Sequence, residues 1–290
     1  MSKILIVGAN GMLGGSLFRY FSRETKHEVL GTLRSASAAD HFKNQGFNNL
    51  NLGVEVRDPT SVENLVKDFV PDYVFNCVGV IKQLDESKSP IPSIEINSLL
   101  PHRLAKFCDS VGAKLVHFST DCVFSGSRGA YTEDDIPDAF DLYGRSKLLG
   151  EVAYGRHLTL RTSIIGHELD KSVSLVDWFL KQSETVKGYS KAIFSGLPTI
   201  CVAEFLAQYI VRENAPAGLL HLSVDPIDKY TLLKIVAERY DVQTSIEEYA
   251  EFKIDRSLDS TKLRQAVGFK PESWELMIEK MHCEHQNYFC

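Results

Sequence analysis

The sequence predicts an α/β fold in which helices cover both faces of a doubly wound parallel sheet, followed by a smaller, mostly helical C-terminal lobe. Short apolar runs alternate with segments of helical periodicity through about the first 160 residues, and this rhythm becomes less regular after about residue 165. Buried parallel strands are nearly continuous apolar runs, and their connecting helices cover both faces of the sheet. We therefore predict one domain over residues 1–165 and a second lobe over residues 166–290, with segments that can interleave.

The predicted elements follow from apolar spacing and from helix-start signals. At one such start, Asp58 precedes Pro59, which suits the first helical position because an N–H group there would have no helical partner. The first domain has predicted strands at 3–7, 27–33, 50–52, 73–76, 114–118 and 158–161, and predicted helices that include 94–111 and 143–154. The second lobe has predicted helices near 172–183, 202–213, 228–239 and 272–285, and short strands near 190–194 and 219–222.

The composition is that of an ordinary soluble globular protein, with 44% hydrophobic and 24% charged residues. A formal net charge of −6 argues against a general nucleic-acid binder. No apolar run approaches the roughly 20 residues that span a bilayer, and no signal peptide is recognisable, so we expect no membrane partner. The six cysteines form no C-x-x-C pair or His/Cys cluster, which predicts no metal site and favours reduced thiols in the cytoplasm.

Three glycines follow the first predicted strand at regular spacing. Gly8, Gly11 and Gly14 stand where that strand gives way to a helix. A dinucleotide-binding turn needs glycine at such points, because the chain turns tightly, the backbone approaches a pyrophosphate and the helix packs closely on the sheet. Free N–H groups at the helix start would bind the phosphates. The pattern therefore predicts a Rossmann-type dinucleotide site, and a purely structural turn is the alternative.

The residue after the second predicted strand distinguishes two forms of the dinucleotide. An Asp or Glu at this point binds the free ribose hydroxyls of NAD, whereas an Arg suits the 2′-phosphate of NADP. The strand is followed here by Arg34, with no acidic residue beside it. We therefore expect NADP(H) in preference to NAD(H), and a surface arginine without a ligand is the alternative.

Tyr143 and Lys147 lie four residues apart on a predicted helix, which places them on the same helix face. A free tyrosine has a pKa of about 10 and is a poor acid–base catalyst at neutral pH. A nearby ammonium group favours the phenolate and lowers that pKa, so the pair can deliver a proton to a carbonyl oxygen. A surface Tyr–Lys pair without a catalytic role is the alternative.

The order of these features along the chain resembles that of the extended short-chain dehydrogenase/reductases. A glycine turn comes first, then a strand that ends in Ser119 and Thr120, and then the pair Tyr143 and Lys147. The resemblance implies a nicotinamide-dependent enzyme in which Tyr143 donates a proton to the substrate carbonyl. It also implies that Lys147 holds the nicotinamide ribose and that Thr120 binds the same carbonyl oxygen.

Within that group, the sequence is similar to dTDP-4-dehydrorhamnose reductases over nearly its whole length. The similar segments are 119–126, 143–151, 160–163, 196–199 and 256–263. These enzymes reduce the 4-keto group of a nucleotide-linked 6-deoxy sugar, so the resemblance implies an NADPH-dependent reductase with a nucleotide-sugar substrate. By the same resemblance, Arg256 would approach the substrate diphosphate, where a guanidinium can bind bidentately, and a surface arginine is the alternative.

The resemblance also assigns other residues to the cofactor and the substrate. Glu55 is expected beside the adenine and Asn97 near the reacting groups, with a solvated acid and a buried structural asparagine as the respective alternatives. The residues expected to contact the cofactor are Gly8, Asn10, Gly11, Met12, Leu13, Gly14, Arg34, Glu55, Val78, Gly79, Asn97, Ser119, Tyr143, Lys147, Thr162 and Ser163. Those expected to contact the substrate are Lys82, Asp121, Cys122, Ile164 and Arg256.

Departures from the family pattern leave other functions open. Asp121 is followed by Cys122 and not by the second acid that sugar 4,6-dehydratases use for elimination. Ile164 stands where rhamnose-type reductases commonly carry an aromatic residue, so a UDP-linked N-acetylamino sugar is a rival substrate. A sugar-nucleotide epimerase and a non-catalytic regulatory subunit, like that of methionine adenosyltransferase, are the further alternatives. Dimers are common among such proteins, so a homodimer is conceivable, although no interface is legible in the sequence.

Overall fold

A computed structural model describes residues 1–80, 89–169 and 173–289 of the chain. In chain order, the strands are β1 (Lys3–Val7), β2 (Glu28–Leu33), β3 (Leu50–Leu52), β4 (Tyr73–Asn76), β5 (Lys114–Thr120), β6 (Leu158–Thr162), β7 (Ile164–Ile165), β8 (Val186–Tyr189), β9 (Ala192–Phe194), β10 (Leu197–Pro198), β11 (Gly218–His221), β12 (Ile227–Asp228), β13 (Ile246–Tyr249) and β14 (Ile254–Asp255).

The α-helices are α1 (Met12–Glu24), α2 (Ser37–Asn44), α3 (Pro59–Phe69), α4 (Pro90–Ser93), α5 (Leu100–Val111), α6 (Leu142–Leu149), α7 (Leu175–Leu180), α8 (Thr199–Phe205), α9 (Lys229–Arg239), α10 (Thr261–Val267) and α11 (Trp274–Tyr288). A π-helical segment, Ile94–Leu99, connects α4 to α5, and a second one, Leu206–Ile210, continues α8. No helix in the ranges that the structure describes is both long enough and apolar enough to cross a bilayer.

Seven parallel strands form the main sheet, in the order β11-β6-β5-β4-β1-β2-β3. The strand order reverses between β1 and β4, and in such sheets a crevice for ligands opens at the carboxyl ends of the strands at that point. The predicted doubly wound α/β sheet is therefore confirmed. Three small sheets, of two, three and two strands, are formed by segments after residue 163.

Helices cover both faces of the main sheet, and the side chains of β1 show the two layers. Ile4 and Ile6 belong to one apolar core, while Leu5 and Val7 belong to the other, and all four are fully buried. Successive strand residues point to opposite faces, so one apolar run supplies both cores. Helices α1, α8 and α11 pack together on the first face, and α3 packs beside α5 on the second.

The segment after residue 165 returns to the main sheet. The strand predicted near 219–222 is observed as β11, which pairs in parallel with β6 at the sheet edge. Helix α8 also packs directly on α1. The two proposed units, 1–165 and 166–290, thus interleave, and the boundary between them stays a proposal.

Two local predictions differ from the structure. The sequence reading placed no helix between the second and third strands, but α2 forms there and buries Ala38, Ala39 and Phe42. The helix predicted over 143–154 ends at Leu149, and it is followed by Gly150, where a Cβ atom would lie only 1.9 Å from the carbonyl oxygen of Asn97. That close approach fixes the chain direction after the helix.

Candidate functional site

The glycine turn between β1 and α1 uses its three glycines in different ways. Gly8 has a φ of +88°, and a Cβ atom there would lie 2.6 Å from Cγ2 of Val78. A Cβ atom on Gly14 would lie 2.1 Å from the carbonyl oxygen of Gly8, so the helix and the turn touch directly. At Gly11 the nearest atom to such a Cβ is that same oxygen, at 3.6 Å, so the space beside Gly11 stays open on the exposed side.

The start of α1 faces this open space. Asn10 and Gly11 are exposed, and Gly11 caps the helix without a side-chain hydrogen bond to its first N–H groups. Those N–H groups and the positive end of the helix dipole are suited to a phosphate. Met12 is half-buried at the first helical position, whereas Leu13 is buried in the core, so its side chain supports the turn from behind. The residues present therefore fit a dinucleotide pyrophosphate.

Arg34 and Glu55 lie on neighbouring loops at the carboxyl ends of β2 and β3. The N–H group of Val54 donates to the carbonyl oxygen of Leu33 at 3.1 Å, which joins the two loops. Arg34 is exposed directly after β2. The carboxylate of Glu55 accepts hydrogen bonds from the backbone and guanidinium of Arg57, and these bonds, with a smaller effect of Arg34, lower the pKa of Glu55. Glu55 thus has a protein partner, and its contact with adenine stays a prediction.

Helix α6 places Tyr143 beside the end of β5. Asp141 caps the helix by accepting a hydrogen bond from the N–H group of Gly144 at 2.7 Å. A Cβ atom on Gly144 would lie 2.3 Å from the carbonyl oxygen of Cys122, so the helix rests directly on the loop that follows β5. The hydroxyl of Thr120 lies close enough to the Tyr143 phenol to lower its pKa, while it donates to Oδ1 of Asp121 at 3.1 Å and accepts from the N–H group of Cys122 at 3.1 Å. The structure therefore brings these two predicted catalytic residues together.

The pKa of Tyr143 lies above its ordinary value, and this corrects the expectation that the lysine would lower it. Burial is the largest cause, an electrostatic effect of Cys122 adds to it, and the nearby Thr120 hydroxyl acts in the opposite direction. Removal from water disfavours the phenolate more than the nearby groups favour it. At neutral pH the phenol is therefore protonated and has a proton to donate.

Lys147 is buried one turn further along α6, with 6% of its surface exposed. Its Nζ atom donates a hydrogen bond to the carbonyl oxygen of Phe118 at 2.6 Å. Burial lowers the pKa of Lys147 to about 8, although the carboxylate of Glu151 acts in the opposite direction. A Cβ atom on Gly79 would lie 4.0 Å from Nζ, which places the lysine beneath the loop after β4.

Asn97 connects that loop to α6. It lies in the first π-helical segment and is 1% exposed. Its Oδ1 accepts from the N–H group of Val80 at 2.9 Å, and its Nδ2 donates to the Val80 carbonyl at 3.1 Å and to Oγ of Ser146 at 3.2 Å. The side chain of Asn97 is therefore occupied in holding the backbone around Lys147, and Gly79 lies next to it.

The ends of β5 and β6 are joined by a buried network that sequence reasoning missed. The Glu151 carboxylate accepts two hydrogen bonds from Arg161, each of 2.8 Å, and the side chains are only 7% and 3% exposed. Oγ of Ser119 donates to the same carboxylate at 2.7 Å. The hydroxyl of Ser119, predicted to contact the cofactor, thus points to Glu151. Glu151 belongs to the segment 143–151 that resembles the reductase family, but only the folded structure shows that it binds Ser119 and Arg161.

Three further predicted residues lie together at the end of β6. Thr162 is buried, and its hydroxyl donates to the carbonyl oxygen of Ser163 at 3.2 Å. Ile164 begins β7, where it pairs with Leu197 of β10 and is half-buried. A Cβ atom on Gly196 would lie 2.0 Å from the carbonyl oxygen of Ser163. This edge is therefore a tightly packed backbone surface, and a Cβ atom on the nearby Gly166 would lie 3.3 Å from Cγ of Met12, at the start of α1.

The predicted substrate residues Asp121, Cys122 and Arg256 form one group. Nε of Arg256 donates to the carbonyl oxygen of Phe124 at 2.8 Å, and its Nη1 lies 3.7 Å from Sγ of Cys122. Burial raises the pKa of Asp121, and the charge of Arg256 opposes this shift. Lys82 lies outside the described residues.

A second cation reaches the same group and was not singled out in the sequence. Lys229, the first residue of α9, is half-buried, and its charge interacts with those of Asp121, Cys122 and Arg256. Burial lowers the pKa of Lys229. The only sequence signal was a lysine at a helix start after the capping residue Asp228, which does not by itself indicate a site.

One cluster elsewhere in the described ranges has potential metal-binding atoms. Cys201, Glu204 and Glu272 have side-chain ligand atoms within 4.8 Å of one another. The ammonium group of Lys280 lies between the two acids, 2.7 Å from Glu204 and 2.6 Å from Glu272. Burial also raises the pKa of the Cys201 thiol well above its ordinary value. The lysine thus supplies the positive charge at this cluster.

Known proteins resemble the chain in sequence and in fold. Methionine adenosyltransferase 2 subunit beta of Xenopus laevis is 35% identical over 319 residues, covering 96% of this chain and 89% of that protein. The structure of dTDP-4-dehydrorhamnose reductase from Bacillus anthracis in complex with NADP has a TM-score of 0.79, 22% identity and coverage of 98% and 99% of the two chains.

The structure of the Bordetella bronchiseptica enzyme WbmG in complex with NAD and UDP has a TM-score of 0.78, 19% identity and coverage of 98% and 94%. These structures share the fold of the chain. The family described as RmlD substrate binding domain matches residues 2–287. The chain therefore belongs to the RmlD substrate-binding domain family, within the extended short-chain dehydrogenase/reductases.

Proposed function

We propose that the protein is a reductase that uses NADPH to reduce the 4-keto group of a nucleotide-linked 6-deoxy sugar. The observation that carries this proposal is the grouping of Thr120, Tyr143 and Lys147 at the carboxyl edge of the sheet. Tyr143 lies close enough to Thr120 for its hydroxyl to lower the pKa of the phenol, and Lys147 donates a hydrogen bond to the backbone of the same strand. A proton donor and a cation beside an open glycine turn suit the reduction of a carbonyl group.

The glycine turn and Lys147 would hold a nicotinamide cofactor, and the chemistry that it would supply is hydride transfer to the carbonyl carbon. The Tyr143 phenol donates its proton to the carbonyl oxygen, and its raised pKa keeps that proton in place at neutral pH until the oxygen gains negative charge. The Thr120 hydroxyl hydrogen-bonds the same oxygen and orients it. The Lys147 ammonium holds the ribose and stabilises negative charge on the tyrosine during transfer.

The preference for NADP(H) rests on Arg34. Its exposed guanidinium directly follows β2. No acidic residue stands beside it in the sequence to bind the free ribose hydroxyls of NAD. The related fold of the Bacillus anthracis reductase binds NADP, whereas WbmG was crystallised with NAD. We therefore propose NADP(H) as the cofactor, with NAD(H) as the less favoured one.

The nucleotide and the sugar define two rival substrates. The Bacillus anthracis neighbour is named for a dTDP-linked sugar, and the WbmG structure contains UDP. Ile164 offers an aliphatic surface at the start of β7 in place of an aromatic ring. We propose the dTDP-linked 4-keto-6-deoxy sugar as substrate and a UDP-linked N-acetylamino sugar as its rival.

A regulatory subunit without its own turnover is the second candidate function. Its support is the 35% identity with a methionine adenosyltransferase 2 beta subunit across nearly the whole chain. A regulator of this kind can retain the cofactor turn and the Tyr/Lys pair by descent. Binding of NADPH therefore does not separate the two candidates, and only turnover does.

The test is NADPH consumption by the purified full chain with each of the two ketosugars, together with identification of the sugar product. Turnover with either one supports the reductase and identifies its substrate class. Interconversion of a 4-hydroxy nucleotide sugar and its C4 epimer, with no net consumption of the cofactor, would instead indicate an epimerase. Tight NADPH binding without turnover on either ketosugar would overturn the proposal and favour the regulatory subunit.

A further inference from the structure

Lys229 and Arg256 enter the substrate side of the site from one small sheet of the C-terminal lobe. That sheet has the strand order β12-β9-β14. Asp228 of β12 and Asp255 of β14 both pair with Ile193 of β9, from opposite sides. The two basic residues come directly after these positions, and the charges of both act on Asp121 at the end of the main sheet. Three elements far apart in sequence therefore meet at one point.

The two cations are not equally free to bind a ligand. Arg256 is bonded to the loop after β5 through Nε and the Phe124 carbonyl, and its Nη1 approaches Sγ of Cys122. Its stem also lies against that loop, since a Cβ atom on Gly126 would be 2.9 Å from Cγ of Arg256. Arg256 therefore serves to hold the loop in position.

Lys229 has no hydrogen-bond or ion-pair partner within 4.0 Å among the residues that the structure describes, although it is half-buried. Its charge interacts with the Asp121 carboxylate, the Arg256 guanidinium and the Cys122 side chain. One carboxylate beside two cations leaves an excess of positive charge in a partly dehydrated space. The electrostatic attraction of an anion is stronger in this space than at an exposed lysine, because water screens the charges less.

We propose that Lys229 binds a phosphate of the nucleotide-sugar substrate, and that Arg256 shapes the same subsite by fixing the loop 121–126. This role of Lys229 rests on the proposed function. It moves the phosphate contact to Lys229, whereas the resemblance assigned that contact to Arg256 alone. The ligand class is a nucleoside diphosphate, free or linked to a sugar.

The test compares Lys229→Gln with Lys234→Gln. Lys234 is an exposed lysine five residues further along the same helix, so its variant is a matched control for loss of one charge. The probes are UDP and dTDP, measured by calorimetry on the full chain, with NADPH binding as a check on folding. Loss of one charge-assisted contact is expected to weaken nucleoside diphosphate binding by about tenfold or more.

In turnover, Lys229→Gln is expected to raise KM for the ketosugar by a similar factor with little change in kcat. Lys229→Arg, which keeps the positive charge, should recover much of the lost affinity. Lys234→Gln should bind both probes like the unmodified protein, and NADPH affinity should be unchanged in all variants.

Unchanged affinity for both probes in Lys229→Gln would overturn the inference, as would failure of the unmodified protein to bind either probe. The outcome is separable from that of the proposed function. Absence of ketosugar turnover, combined with diphosphate binding that depends on Lys229, would overturn the reductase but support the subsite. Ketosugar turnover with a KM that does not depend on Lys229 would support the reductase but overturn the subsite.

Discussion

The Nζ atom of Lys147 donates a 2.6 Å hydrogen bond to the carbonyl oxygen of Phe118, two residues before Thr120. This bond joins α6 to β5, the two elements that carry the predicted catalytic side chains. The bond therefore helps to hold α6, which carries Tyr143, in place against β5, which ends at Thr120. A site of this kind is organised before a ligand arrives, which is how enzymes reduce the entropic cost of aligning reactants.

Replacement of Tyr143 by Phe should lower kcat for the ketosugar by about a hundredfold or more, because general acid catalysis typically contributes that much. The ring is retained, so NADPH affinity should change less than about twofold. Steady-state turnover and a direct NADPH titration measure the two effects. Tyr154→Phe is the matched control, since Tyr154 is half exposed and its hydroxyl contacts His102. An equal loss of turnover and NADPH affinity in Tyr143→Phe would contradict its assignment as proton donor.

The value of kcat/KM for NADPH should fall as the pH rises through about 8, the pKa of Lys147 in the folded protein. Burial lowers that pKa, so the ammonium loses its proton at a lower pH than an exposed lysine does, and the ribose loses its charged partner. Because kcat/KM reports on the free enzyme, a pH profile of this parameter is the measurement. A profile that stays flat to pH 10 would show that the charge of Lys147 is not required.

Replacement of Arg34 by Ala should weaken NADPH binding by about tenfold to a hundredfold and leave NADH binding nearly unchanged. The lost contact is a charge-assisted hydrogen bond to the 2′-phosphate, which NADH does not have. Arg57→Ala is the control, because its guanidinium already binds Glu55 and its loss should affect both cofactors alike. Equal weakening of both cofactors by Arg34→Ala would rule out a role in distinguishing them.

Two alanine substitutions in the glycine turn should separate stability from cofactor binding. In Gly14→Ala, the new methyl group would lie 2.1 Å from the Gly8 carbonyl oxygen, so the protein should lose roughly 1–3 kcal/mol of stability. In Gly11→Ala, the methyl group enters open space, so thermal stability should hold while NADPH affinity falls. Thermal unfolding and NADPH titration of the two variants are the measurements. A Gly11→Ala variant that is destabilised but still binds NADPH would contradict the role of Gly11 in cofactor binding.

Removal of the Asn97 side chain should destabilise the protein and disturb the site together. Asn97→Ala leaves the buried N–H and carbonyl groups of Val80 without their partners, at a cost of about 1–3 kcal/mol for each. Tm should fall by roughly 5–10 °C. Asn64→Ala, on the exposed face of α3, is the control and should leave Tm within about a degree. An unchanged Tm in Asn97→Ala would show that the loop after β4 is held by other contacts.

Much of the fold could be predicted because its signals are local. The run at residues 3–7 is apolar throughout, and it becomes β1, with side chains in both cores. The close packing of Gly150 against the backbone of Asn97, directly after the end of α6 at Leu149, could not be predicted. Periodicity describes one segment at a time, and such contacts join segments that are distant in the chain.

The candidate site shows the same division. The shared helix face of Tyr143 and Lys147 could be predicted, because residues four apart on a helix lie on the same face wherever that helix packs. The direction of the Tyr143 pKa shift could not be predicted, because it depends on how far the folded chain excludes water from the phenol. The partner of Ser119 was hidden for a related reason, since Glu151 reaches it only after α6 ends.

Three features could be predicted from the sequence: the alternation of strands and helices, the glycine turn after β1, and the order in which Thr120, Tyr143 and Lys147 occur. These features depend on backbone freedom and on residue spacing, which act over a few positions. Tertiary structure alone decided that Lys229 and Arg256 meet Asp121, and which of the two cations is free. Burial, charge state and pairing are properties of side chains brought together from distant segments, so they exist only in the folded chain.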